Sequence, residues 1–192
     1  MLQYAFKEWA AICEALGHGT QSIILRKGGI AESEGDGAFS VAQTRFWLYP
    51  TYTHQQVTGI NVDARPLLAQ AVARKPPAGK VRLEWWAELD GVYQLRDELP
   101  ALMLSHLHCW SEEAVRKRFN YRVPGLHVLV VRVHRAPKVH EIDDLPRYAG
   151  CKSWVELEAP LTTEGAMPVL SDADFRIVTR QLDMLLKPSA YA

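Results

Sequence analysis

Apolar and polar positions alternate over Lys80–Asp90: Val81, Leu83, Trp85, Ala87 and Leu89 form one row, and Lys80, Arg82, Glu84, Trp86, Glu88 and Asp90 the other. A period of two is that of a half-buried strand. Asp90-Gly91 is the residue pair of a tight hairpin turn, which would send Val92–Leu95 back along the first strand. Leu126–Arg135 is a longer β-branched run. Leu129, Val131 and Val133 keep one row apolar, while the other begins with Leu126, Val128 and Val130 and turns polar at Arg132 and His134. Such a strand is buried centrally and emerges at one end. Gln21–Arg26, Thr44–Pro50 and Trp154–Glu158 are shorter extended segments, the second ended by its proline.

Spacings of three and four mark helices. Phe6, Trp9, Cys13 and Leu16 predict a helix over Ala5–Gly17, stopped by Gly17 and Gly19. Asn61–Arg74 is a weaker helix, and Asp97–Trp110 a stronger one with Pro100 in its first turn. Another begins at Ser111, with Glu112 and Glu113 at its positive end and Lys117 and Arg118 at its negative end. Ser171–Lys187 closes the chain as a capped helix with Phe175, Val178, Leu182 and Leu185 on one face. Lys75-Pro-Pro-Ala-Gly79 is the clearest break, read as a rigid connection because neither side is large enough for a comfortable core of its own. The mixed order favours one α+β domain over residues 1–192, with a curved, mainly antiparallel sheet or small β-barrel and flanking helices.

Composition narrows the function classes. Twenty-two basic residues balance 22 acidic ones, with a pI near 7.1, which excludes a polybasic binder but allows a local basic patch. No apolar run reaches the roughly 18 residues of a membrane helix, and the N-terminus has no secretory pattern. The 3 cysteines, Cys13, Cys109 and Cys151, are scattered, as expected for reduced thiols in a cytoplasm.

No nucleophile elbow, phosphate-binding loop, dinucleotide fingerprint or Cys-x-x-Cys pair is present. His106-Leu-His108-Cys109 is the densest set of metal-ligand types, yet no second cluster completes a four-ligand site, so neither metal nor cofactor is expected. Glu156 and Glu158 share a strand face that suits Mg²⁺, but Lys152 precedes them and the acid-x-Lys order of a nuclease is not met. Arg26-Lys27-Gly28-Gly29 sets two cations beside flexible backbone whose N–H groups can receive phosphate. Arg45, Trp47 and Tyr49 share one face of an extended chain, either as a stacking platform for a base or packed into the core. His54 and Gln55 follow, offering a group that titrates near neutrality and an amide able to read a base edge.

The runs Ala5-Phe-Lys-Glu-Trp9, Cys13-Glu-Ala-Leu-Gly17, Ile24-Leu-Arg-Lys-Gly-Gly-Ile30 and Phe46-Trp-Leu-Tyr-Pro-Thr51, with His54-Gln55 and Gly150-Cys-Lys-Ser-Trp-Val155, resemble the bacterial family called domain of unknown function 1802. That family has no established activity. Some members carry a restriction-endonuclease-like domain, which implies a link with DNA. Glu14–Arg26, a helix, a glycine-containing turn and a strand ending in arginine, is more loosely similar to ASCH/PUA-like barrels, although Ile24 and Leu25 stand where that group carries an acid. This likeness makes a PUA-like barrel the preferred version of the fold. The expected function is a non-catalytic nucleic-acid-binding or sensing module with its site at Arg26, Lys27, Gly28, Gly29, Arg45, Trp47, Tyr49, His54 and Gln55. A small metal-dependent hydrolase or nuclease using His54 with an acidic partner such as Glu32 or Asp63, and a subunit offering a Trp-rich face to a protein partner, are the alternatives.

Overall fold

The computed structural model describes residues 1–27, 43–53, 55–150 and 152–186. Its backbone is an open, curved sheet with helices against it. The strands are β1 (Leu2–Trp9), β2 (Ile23–Arg26), β3 (Arg45–Thr51), β4 (Lys80–Leu95), β5 (Leu126–Asp143), β6 (Trp154–Leu161) and the short β7 (Met167–Pro168). The helices are α1 (Ala10–Gly17), α2 (Arg65–Ala73), α3 (Glu98–Met103), α4 (Glu112–Phe119) and α5 (Asp172–Leu186).

The spatial order is β2-β5-β4-β3-β1-β6, with β7 pairing β5. Every pairing is antiparallel except β1 with β3. The turn 162–166 carries the chain from β6 to β7. Five residues span at most about 18 Å, so the edge strand β6 curls back toward β5, as a curved sheet requires.

Both faces of the sheet are covered. One buries Phe6, Phe46, Leu48, Trp85 and Leu129 against Ile12 and Leu16 of α1 and Phe175 and Leu182 of α5. The inner face of the curl holds Ala5, Trp47, Tyr49, Leu83, Trp86, Val155 and Leu157. Close contact of α1 with the sheet depends on Gly17, where an added Cβ would fall 2.2 Å from the Trp85 ring.

Two expected elements are corrected. The N-terminal segment is strand and then helix, because the three-four spacing straddles their junction: Phe6 and Trp9 belong to β1, Cys13 and Leu16 to α1. Tyr4, Phe6 and Trp9 suit a strand flanked on both sides, by β3 and β6. Asp90-Gly91 is no hairpin. Residues 80–95 run as one strand because the 18-residue β5 pairs along its whole length, and Asp90 forms an irregularity between Leu89↔Val131 and Gly91↔Val130. Smaller differences follow the same logic. The helix after Asp97 becomes a 3-10 turn at Leu104–Leu107, and β5 continues past Arg135 to Asp143. Ser111 caps α4 as expected, its Oγ accepting from the Ala114 N–H at 3.2 Å.

Candidate nucleic-acid interface

Strand β3 pairs with β4 only through Arg45, Phe46 and Trp47. Beyond that point Pro50 has no N–H to offer, and the β4–β5 register is itself broken between Leu83 and Trp85. The two strands part there. Between the end of β3 and the start of β4, across the C-terminal ends of the parallel β1–β3 pair, lies a cleft of about 780 Å³.

Its lining is basic. Lys7, Arg26, Arg82 and Arg118 contribute, with Lys75, Lys80 and Lys152, against the carboxylates of Glu8 and Asp144. Tyr49, Tyr52, Tyr148 and Trp9 supply rings. Some of these cations are already engaged: Lys80 pairs with Asp143 at 2.7 Å and Arg82 with Glu84 at 3.7 Å. Lys75 lies 5.2 Å from the Tyr52 ring centroid. Lys75 and Lys152 are exposed and have no carboxylate within ion-pair distance among the described residues.

One wall carries a buried charge cluster. Glu8 is 2% exposed, and its Oε1 accepts the Trp9 N–H at 2.8 Å. Its Oε2 lies 3.4 Å from the Arg26 guanidinium, which also packs 4.2 Å over the Phe6 ring. Burial pulls the Arg118 pKa down to about 10, while Glu8 opposes that shift and Arg26 adds to it. All three groups therefore sense one another, and Arg118 stays charged at neutral pH.

The expected site residues divide. Arg26 and Tyr49 line the cleft. Lys27 lines a smaller neighbouring pocket and donates to the carbonyls of Phe119, at the end of α4, and of Val123 and Gly125 beyond it. Arg45 lines neither cavity; it is exposed, 4.8 Å over the Trp86 ring. Trp47 is fully buried, with Nε1 donating to the Leu2 carbonyl at 3.3 Å, so packing rather than presentation describes it. Gln55 accepts the Ala11 N–H at 2.8 Å and so satisfies an orphan donor in the first turn of α1. Gly28, Gly29 and His54 lie outside the described residues, as does Glu32.

All six tryptophans are buried or half-buried, so none stands out on the surface. Among the described residues, no three of His, Cys, Asp and Glu come together as metal ligands, and no helix is long and apolar enough to cross a membrane. His108 is a core group, its Nδ1 accepting the Trp110 N–H at 3.2 Å.

Sequence reasoning passed over Lys75, Lys80, Tyr52, Tyr148, Arg118 and Lys152. A signal for two of them was available: Lys75 and Lys80 flank the rigid Pro-Pro-Ala-Gly segment, which holds both against one rim.

The family model described as Domain of unknown function (DUF1802) matches residues 5–181. The chain belongs to that family. No curated protein matches the sequence significantly. Among solved structures the chain is similar to ASCH from Zymomonas mobilis, at 13% identity and a TM-score of 0.45, covering 92% of this chain and 93% of that one. A serine-to-alanine mutant of the same Zymomonas protein matches at 11% identity and a TM-score of 0.47, over 93% and 94% of the two chains. In this family member the matched region contains every described residue of the cleft.

Proposed function

We propose that this DUF1802 domain is a non-catalytic nucleic-acid-binding or sensing module, and that unpaired nucleic acid lies in the cleft between β3 and β4. The observation that carries this reading is the local charge. A protein with a formal net charge of zero lines one cleft with Lys7, Arg26, Lys75, Arg118 and Lys152 against the carboxylates of Glu8 and Asp144, besides Lys80 and Arg82, which are paired with Asp143 and Glu84. Phosphate oxygens answer such a surface, and counterion release supplies the free energy. The half-buried Tyr52 ring beside Lys75 favours a strand whose bases are free to stack. A duplex keeps its bases stacked on one another and offers that ring nothing. The link with DNA that the family resemblance implies would give such a module a setting, either alone or beside a protein partner.

The test is fluorescence anisotropy with a labelled single-stranded oligonucleotide and its duplex at low salt. Single-strand binding should exceed duplex binding and should fall on Lys75→Glu, which places an acid on the exposed rim. No binding of either, or binding indifferent to Lys75→Glu, would contradict the reading.

A further inference from the structure

Trp9 and Arg118 line two cavities at once. Besides the cleft they form a wall of a smaller pocket of about 410 Å³, within the size range of small-ligand sites. The pocket differs in character from the cleft. Its lining is richer in rings, with Trp110 and the exposed Tyr121 joining Trp9, and Gln56 brings an exposed amide.

The shared wall is a layered stack. The Trp9 and Trp110 rings are 4.6 Å apart, and the Arg118 guanidinium lies 3.7 Å from the Trp110 centroid and 5.9 Å from that of Trp9. Gly59 permits this seating, since a Cβ there would fall 2.7 Å from the Trp9 ring. Beneath the wall, Arg26 lies 3.4 Å from the buried Glu8 carboxylate, whose charge Arg118 also senses. Two guanidiniums against one carboxylate leave an excess positive charge in partly desolvated surroundings, where an arriving anion is most strongly held.

We infer that the smaller pocket is a nucleotide subsite, taking the planar base of one unpaired nucleotide while its phosphate is held by Arg118 in the shared wall, with Arg26 on the cleft side of it. This rests on the nucleic-acid reading and adds to it where one base goes. The exposed Tyr121 ring and the half-buried Trp9 offer a stacking surface, with Trp110 buried behind them. Gln56 offers paired donor and acceptor groups to a base edge, and Arg118 lies on the side from which a strand in the cleft would enter. An apolar side chain of a partner protein would use the rings but leave the guanidiniums and the amide without a counterpart.

The experiment follows tryptophan fluorescence during titration with the four nucleoside 5′-monophosphates, the matching nucleosides and inorganic phosphate, beside oligonucleotide binding. At least one monophosphate should bind, and its nucleoside should bind about tenfold or more weakly than it does. Tyr121→Ala and Gln56→Ala, both at exposed positions, should each weaken that monophosphate, Tyr121→Ala by about five- to hundredfold. Lys75→Ala, which belongs to the cleft alone, should leave monophosphate binding unchanged and weaken the oligonucleotide. If the oligonucleotide binds but both pocket variants leave every affinity unchanged, the subsite is wrong and the cleft reading survives. If a monophosphate binds and Tyr121→Ala abolishes it while no oligonucleotide binds, the subsite survives and the cleft reading fails. Binding of neither removes both.

Discussion

The Tyr49 hydroxyl donates to Asp144 Oδ1 at 2.6 Å, tying β3 to the segment after β5 across the cleft that both residues line. Where β3 and β4 have parted, this bond does part of the work of the missing ladder. Tyr49→Phe should therefore cost about 1–2 kcal/mol in urea denaturation while leaving the fold intact. Burial, and then the bond to Asp144, push the Tyr49 phenol well above its ordinary range. A raised folded pKa gives stability that is complete below the unfolded value, near pH 10, and is lost as pH rises through the folded one. Denaturation of the Phe variant should lack that share of the alkaline loss. An unchanged alkaline profile would contradict the assignment.

Acid acts through His108. Burial pulls its pKa down to about 4 from 6.5. A depressed histidine contributes stability that is present above the unfolded value and lost as pH falls through the folded one. The share at stake is roughly 3 kcal/mol, declining from about pH 6.5 to pH 4. His127 and His134 are shifted the same way by burial and add to the slope. His108→Gln should be less stable at pH 7 and should flatten the acid limb; a limb as steep as that of the parent would count against the buried neutral imidazole.

Trp47 and Tyr52 separate core from cleft. Trp47 is 0% exposed, so Trp47→Ala should cost about 3–5 kcal/mol, seen as a large fall in Tm. Tyr52 is half-buried beside Lys75, and Tyr52→Ala should weaken single-strand binding by about 1–3 kcal/mol with little loss of stability. Equal effects of the two changes on binding, at equal folded fraction, would show that Tyr52 offers no stacking surface.

Much of the fold was legible because its periods are local. The alternation in β4, the apolar rows of β5 and the caps of α4 and α5 are written in neighbouring residues. What was not legible depends on partners distant in sequence. Residues 2–9 are a strand because β3 and β6 flank them, and Asp90-Gly91 stays extended because β5 runs opposite. The site follows the same division. Arg26, at the end of a recognisable strand, and Tyr49 line the cleft. Trp47 shows why alternation alone cannot assign a face: Trp47 and Tyr49 share the inner side of the sheet, but only Tyr49 reaches the point where β3 leaves β4. Arg118 read as a helix-end charge, and only the packing of α4 sets its guanidinium over Trp110 in the cleft wall.

The most direct measurement of the central claim is the dependence of single-strand affinity on salt. If three or four of the cleft cations meet phosphates, log K against log salt should fall with a slope of about −2 to −3. Lys75→Ala should make that slope shallower by about 0.7, and Lys152→Ala by a similar amount, whereas Arg45→Ala, outside the cleft, should leave it unchanged. A slope near zero, or one that responds to Arg45 and not to Lys75 and Lys152, would place the nucleic acid elsewhere and contradict the assignment of the cleft.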